Sequence, residues 1–223
     1  TPARPVMRPV SVAGIGWIPV QKQCPLSLRE MGRDAVRAAL DDAGIEMLDA
    51  LYASSTLSSE LWGEKHVAAF IADASGLSGL EALQVDATSA SGAAALRAAY
   101  LAVASGQADF AAAVGVEKMK DTESATPVLA RALDQMSEAG QTMVSINARV
   151  MRSYFAARRA EGVTERELLE GFAHFSVNAH ANGAKNPDAF LRKPLTLEEA
   201  AASRLVDDPL RLSDCSPVCD GAA

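Results

Sequence analysis

Between an apolar run and an alanine-rich helical repeat lies the segment Asp86-Ala87-Thr88-Ser89-Ala90-Ser91-Gly92, in which four of seven side chains carry a hydroxyl or a carboxyl group. The pattern leaves a strand, turns sharply and enters a helix. The first amides of a helix have no intrahelical acceptor and point back at such a turn, so a side chain there sits in a field that favours negative charge. That chemistry suits an activated nucleophile or a bound oxyanion. From the residues alone the serines are expected to be helix caps, with the nucleophile as the alternative. They do not form the G-x-S-x-G elbow of a serine hydrolase.

Other chemistry-bearing residues are more scattered. His66, His174 and His180 each fall in a helical pattern, without a Cys or Asp at ligand spacing. They read as surface or structural histidines, with a base or ligand role as the alternative. Arg192 and Lys193 follow Phe190 and read as solvated loop charges or as a phosphate clamp. Cys215 and Cys219 flank Ser216 and Pro217, but two further ligands for a metal are absent nearby, so no metal site is expected. Gly14 and Gly16 suggest a dinucleotide fingerprint until the third glycine position, which is Pro19; they are expected to end a strand tightly.

These residues need elements to hold them. Val10–Ile15 alternates like a buried strand. Ser27 with Glu30 forms a capping box, and Leu28, Met31, Ala35, Ala38, Ala39 and Ala43 recur at helical spacing until Gly44. A short strand is expected over Ala50–Ser54, a helix over His66–Ser75, a strand over Leu83–Ala87, a helix over Ser91–Ser105 stopped by Gly106, and a strand over Phe110–Val116. Strands alternating with helices predict βαβ crossovers, a mostly parallel sheet and helices on both faces. From Lys118 the rhythm changes to a polar stretch through Gln141, followed by helices at Met143–Arg159, from capped Thr164 to Asn182, and after capped Thr196. The expected division is an α/β domain over 1–117 plus 206–223, with a mainly helical region over 118–205 inserted into it.

Length and charge narrow the function classes. The 223 residues suffice for one large domain or two small ones, and 49% apolar with 22% charged residues is a globular balance. Lys plus Arg number 21 against 28 Asp plus Glu, for a net charge of -7, which argues against nucleic acid as a partner. No run has the length of a membrane span, and the Pro- and Arg-rich start, Thr1–Val10, lacks the apolar core of a secretion signal. Three scattered cysteines form no disulfide framework, so a reducing cytoplasm is expected.

The run DATSASGAAALRAAYLAVASGQADFAAAVGVEKMKD, Asp86–Asp121, resembles the nucleophile strand, helix and following strand of thiolases, especially the bacterial and archaeal branch related to the sterol-carrier-protein-associated thiolases. The opening strand Val12–Gly16, the stretch Asn178–Asn182 through Asn186 and Pro187, then Arg192, Lys193 and Pro194, and the closing DPLRLSDCSPVCDGAA, Asp208–Ala223, extend the likeness over the chain in the same order. The resemblance implies a thiolase-like α/β fold of five layers (αβαβα), with the first half and loop domain present in this chain and the second half missing from it. It implies an acyltransferase acting on acyl-coenzyme A in lipid metabolism, with coenzyme A thioesters as substrates and no permanently bound cofactor. It further implies a homodimer and, as in some relatives, a small coenzyme A-handling partner subunit. In such enzymes a cysteine at a helix N-terminus takes the acyl group, and a histidine activates it.

Two departures follow. Ser89 occupies the position of the nucleophilic cysteine, and a hydroxyl is a far poorer nucleophile than a thiolate, so thiolysis or condensation of 3-oxoacyl-coenzyme A is expected to be weak or absent. The activating histidine and second proton-transfer residue belong to the half that relatives carry beyond this chain. Ser216 falls where relatives lay a small residue against the pantetheine arm, and Cys219 stands where close relatives often have serine. The region Lys118–Leu205 is expected to form part of the coenzyme A wall. The rival readings are a catalytically silent binding or scaffold subunit, and a retro-aldolase acting on a coenzyme A ester.

Overall fold

The computed structural model describes residues 7–120 and 125–223. Residues 1–6 of the Pro- and Arg-rich start and 121–124 of the polar stretch lie outside them. The chain divides into two compact units, one comprising Thr1–Ala125 with Cys219–Ala223, the other Thr126–Val218.

The first unit is built on a five-stranded mixed sheet. Its elements are β1 (Ile18–Gln21), α1 (Leu28–Ala43), β2 (Ala50–Ser54), α2 (Ser58–Trp62), α3 (Val67–Ala74), β3 (Glu81–Gln84), α4 (Ser91–Ser105) and β4 (Ala111–Lys118). β2 lies parallel to both β3 and β4, pairing Leu51 with Ala82 and with Ala112. The chain's last strand, Asp220–Ala222, is inserted antiparallel between β4 and β1. The expected α/β sheet is therefore present, with this one reversed strand beside its parallel core.

The alternation of β2 sorts its side chains onto two helix layers. Leu51 and Ala53 face the cluster formed with Met31, Val36 and Leu40 of α1 and Val67 and Ile71 of α3. Ala50 and Tyr52 face Ala95, Ala99 and Ala102 of α4. Each large apolar side chain removed from water here contributes roughly 1.5–3 kcal/mol. The helix signals act as the sequence predicts: Ser27 and Glu30 cap α1 reciprocally, and Gly44 closes it at φ 67°. α4 runs from Ser91 to Ser105 and stops at left-handed Gly106.

The strand expected over Val10–Ile15 does not form. Residues 7–17 form no strand, and Val12 and Ile15 are 79% and 61% exposed. The glycines do not end a strand; they let the extended backbone press on α1, where a Cβ on Gly14 or Gly16 would collide with the carbonyl oxygens of Ala39 and Ala35. Ile15 N–H donates to Asp42 at 2.9 Å, and Arg8 bonds Asp109 and the carbonyls of Val103 and Ala108. Helix contacts thus hold this segment, and strand pairing begins only at Ile18. The third strand also begins and ends earlier than expected, at Glu81 and Gln84 in place of Leu83 and Ala87.

The second unit is mainly helical: α5 (Ala125–Leu129), which begins at the boundary, then α6 (Met143–Ala160), α7 (Glu165–Gly183) and α8 (Leu197–Ala202). Thr142, Thr164 and Thr196 each accept the amide three residues on and close a capping box. Met151, Phe155 and Leu168 form its core, with Phe172 packed edge-on against Phe155 at 5.3 Å. The two-stranded ribbon β5 (Leu205–Asp207) and β6 (Leu210–Arg211) follows, and the chain then returns to the first unit as β7 (Asp220–Ala222).

Candidate active-site turn

The turn at Asp86–Ser91 is held by its own polar side chains. Asp86 Oδ1 accepts the Thr88 amide at 2.8 Å, and Ser91 Oγ accepts the Ala87 amide at 2.9 Å. The Ser91 hydroxyl also lies 2.7 Å from the Thr88 carbonyl and 3.1 Å from Asp86 Oδ1. Ser91 is therefore a buried brace within the turn and not the helix cap that the sequence suggests, since neither the 3-10 turn nor α4 has a side-chain cap. Thr88 has φ 50°, the one non-glycine residue in the left-handed region among the described residues. A single 3-10 turn over Thr88–Ala90 leads into α4, whose N-cap, Ala90, supplies no side-chain acceptor.

Ser89 sits exposed in that 3-10 turn. Its neighbours on both sides are braced, and the α4 N-terminus lies next in the chain, where the Thr88 carbonyl takes the Ser91 amide. Such an end stabilises a negative atom, so the position suits a thiolate or an acyl oxygen gathering charge. No His, Asp, Glu or Lys side chain hydrogen-bonds to Ser89 among the described residues, and a hydroxyl without a base remains protonated at neutral pH.

Three residues that the sequence reading passed over support the turn from the sheet. Glu117 on β4 accepts Ser55 Oγ–H at 3.0 Å and the Thr56 amide at 2.7 Å. The Thr56 hydroxyl then donates to the Thr88 carbonyl at 2.9 Å. Burial pushes the Glu117 carboxyl up from its ordinary value, opposed by the Thr56 amide and the Ser55 hydroxyl. The one available signal was a carboxylate within the small and apolar run of β4, AAAVGVEK.

The remaining candidates have local duties. His66 is the N-cap residue of α3 and packs edge-on to Phe70 at 6.4 Å. His174 is exposed, and His180 Nδ1 is 2.9 Å from the Lys193 carbonyl. Arg192 donates to the Pro187 carbonyl at 3.0 Å, so it steadies its own loop. Ser216 is exposed in the second unit, whereas Cys219 belongs to the first. Burial pushes the thiols of Cys215 and Cys219 up, with Asp214 and Asp220 adding to the respective shifts. Neither thiol is activated by its surroundings.

Residues 21–209 match the thiolase N-terminal domain family. The chain is 40% identical over 221 residues to an acetyl-CoA acetyltransferase of Methanothermobacter thermautotrophicus, covering 97% of this chain and 56% of that protein. It is 27% identical to sterol carrier protein 2 of Gallus gallus, covering 100% of this chain and 41% of that protein. Among solved structures, the Ltp2-ChsH2(DUF35) aldolase shares the fold at a TM-score of 0.65 and 24% identity, over 94% of this chain and 53% of that one. The chain spans about half the length of the curated relatives it matches. With its mixed sheet between helix layers and a family match across most of its length, this chain belongs to the thiolase family.

Proposed function

We propose that this chain is the acyl-coenzyme A-binding first half of a thiolase-family acyltransferase, with Ser89 at the position of the nucleophile. The observation that carries this reading is the exposed, doubly braced turn at the N-terminus of α4. With a cysteine at 89 the parent reaction runs by attack of the thiolate on the acyl carbonyl of a 3-oxoacyl-coenzyme A. The bond between C2 and C3 breaks, its electron pair goes to the departing acetyl-coenzyme A carbanion, which takes up a proton, and the acyl group remains on sulfur. Coenzyme A thiolate then receives it. Ser89 weakens the first step, because its hydroxyl loses a proton only to a base.

In this reading Ser216 lies along the pantetheine arm, and residues 118–205 contribute to the coenzyme A wall. The chain works as a cytoplasmic homodimer, with no permanently bound cofactor, in lipid metabolism. Light scattering at micromolar concentration reads the dimer directly, and a monomer rejects it.

Ser89→Cys in the full-length gene product is expected to bring thiolysis of a 3-oxoacyl-coenzyme A, with a thiol that titrates below the value near 8.5 of free cysteine. Stopped-flow thiolysis and alkylation against pH check it. No turnover together with an unshifted thiol overturns it.

A second reading is favoured by Ser89 itself, because retro-aldol cleavage of a 3-hydroxyacyl-coenzyme A needs no covalent acyl intermediate. There a base takes the 3-hydroxyl proton, the bond between C2 and C3 breaks, and the thioester enolate takes up a proton. An aldolase of this fold that carries a DUF35 partner is consistent with it, and with a small coenzyme A-handling subunit. Carbonyl release from a 3-hydroxyacyl-coenzyme A by the unaltered Ser89 protein supports this reading over acyl transfer. A coenzyme A ester that binds and is never turned over by either form leaves the silent scaffold.

A further inference from the structure

Thr88 holds φ 50°, a conformation that a β-branched residue keeps only where its surroundings over-determine it. Three of the constraints come from within the turn: its amide is taken by Asp86, and its carbonyl accepts the Ser91 amide and lies against Ser91 Oγ. These fix Thr88 relative to the start of α4. They do not fix it relative to the sheet.

A fourth constraint comes from outside. Thr56 stands in the loop between β2 and α2, and its hydroxyl donates to the Thr88 carbonyl at 2.9 Å across 32 residues of sequence. The loop is in turn fastened to β4, because the two Glu117 oxygens take the Ser55 hydroxyl and the Thr56 amide. Buried Ser55 and half-buried Glu117 leave little room for another arrangement. A line of hydrogen bonds thus runs from the end of a central strand to the residue that precedes Ser89.

We propose that Glu117, acting through Thr56, is a positioning residue that fixes the Thr88 carbonyl and so the orientation of side chain 89 over the α4 N-terminus. The proposal rests on the reading of residue 89 as the reacting position. A purely structural staple between β2 and β4 would affect stability alone; a positioning line also changes how strongly a group at 89 feels the amides of α4. The hydroxyl of Thr56 separates the two, since its removal leaves the contacts of Glu117 with the Thr56 amide and Ser55 in place.

The test uses Ser89→Cys in the 223-residue chain as a reporter, with peptide-resolved mass spectrometry of iodoacetamide alkylation across pH and Cys215 as internal control. Thr56→Val, which keeps the shape and loses the hydroxyl, is expected to slow alkylation at residue 89 about three- to tenfold at neutral pH and to raise its pH midpoint, the scale of one lost hydrogen bond. Glu117→Gln should act in the same direction. Thr56→Ser is expected to restore both readouts to within about twofold, while Cys215 does not change. An unaltered pH profile in Thr56→Val overturns the proposal, and so does a shift that Thr56→Ser fails to rescue. If Glu117→Gln does not fold, the two Thr56 variants decide. Alkylation needs no coenzyme A, so a Ser89→Cys protein without thiolysis defeats the acyl-transfer reading while this measurement still stands or falls by itself.

Discussion

Carboxylates in this chain act mainly by collecting backbone amides. Asp86 does so inside the candidate turn, and Asp49, just before β2, does so at the other end of the sheet. Asp49 Oδ2 accepts the amides of Asp109 at 2.7 Å and Phe110 at 2.9 Å, which joins the entry to β4 to the start of β2. The Phe110 amide, then that of Asp109, holds its carboxyl below the usual value of 3.8. A lowered native pKa means that the unfolded chain binds the proton more readily, so the stabilisation is complete above pH 3.8 and is lost as pH falls through the native value. Asp49→Asn is therefore expected to lower the urea midpoint at neutral pH, with the gap to the parent protein closing in acid below 3.8. A gap that stays constant between neutral pH and strong acid would show that the charge is not involved.

The last strand shows how an element can be held by one buried residue. β7 is three residues long and its hydrogen bonds alone are few, but Asp220 is fully buried within it. One carboxylate oxygen accepts the Cys24 amide at 2.8 Å; the other accepts those of Met119 at 2.8 Å and Lys120 at 3.0 Å. Lys118 Nζ is 3.7 Å away and also donates to the Cys24 carbonyl, with Trp62 beneath it. A single side chain thereby joins β7, the end of β4 and the loop after β1. Removing one partner of a buried pair leaves an uncompensated charge and unpaired amides, at a cost of about 3–5 kcal/mol. Asp220→Ala is expected to lose about that much by denaturant titration; a loss below about 1 kcal/mol, the scale of a surface pair, would contradict the role.

At the scale of the first unit, one face of the fold is open. β4 pairs with β2 from Ala111 to Gly115, but its other edge meets β7 only from Val116 to Lys118, with Gly115 bonded to Ala223. Beside Ala111–Val114 lies a groove of about 1220 Å³ between the 8–17 segment, α1 and α4. Val12, Leu96, Tyr100 and Phe110 are 79%, 61%, 46% and 47% exposed around it. Contiguous apolar surface of this kind is unusual on a monomer and takes up apolar probes. The 223-residue chain is expected to enhance the fluorescence of a hydrophobic dye in native buffer, and the double variant Leu96→Lys, Tyr100→Lys to reduce that signal at least about twofold without loss of α-helical circular dichroism. Equal dye binding by both proteins would place the open surface elsewhere.

Local signals carried much of this fold by themselves. Capping boxes at Ser27, Thr164 and Thr196 and the stops at Gly44 and Gly106 act within four residues, so helix bounds such as Ser91–Ser105 are legible without tertiary knowledge. The turn at Ser89 is equally local, since Asp86 and Ser91 brace it from within. Strands are different, because a strand exists only where a partner lies alongside. Val10–Ile15 alternates like a strand, yet Gly14 and Gly16 fit it against the backbone of α1, and pairing begins at Ile18, where β7 arrives from the far end of the chain. Likewise Thr56 carries no signal in the sequence, and Glu117 only its charge within a small and apolar run. They acquire their place at the candidate turn only because β2 and β4 lie side by side: the Asp109 amide meets Asp49 across 60 residues of sequence, and the Thr56 amide meets Glu117 across 61. Short-range hydrogen bonding sets helices and turns, whereas contacts between distant segments, which depend on the packing of the whole domain, decide which strands pair and which side chains support the site.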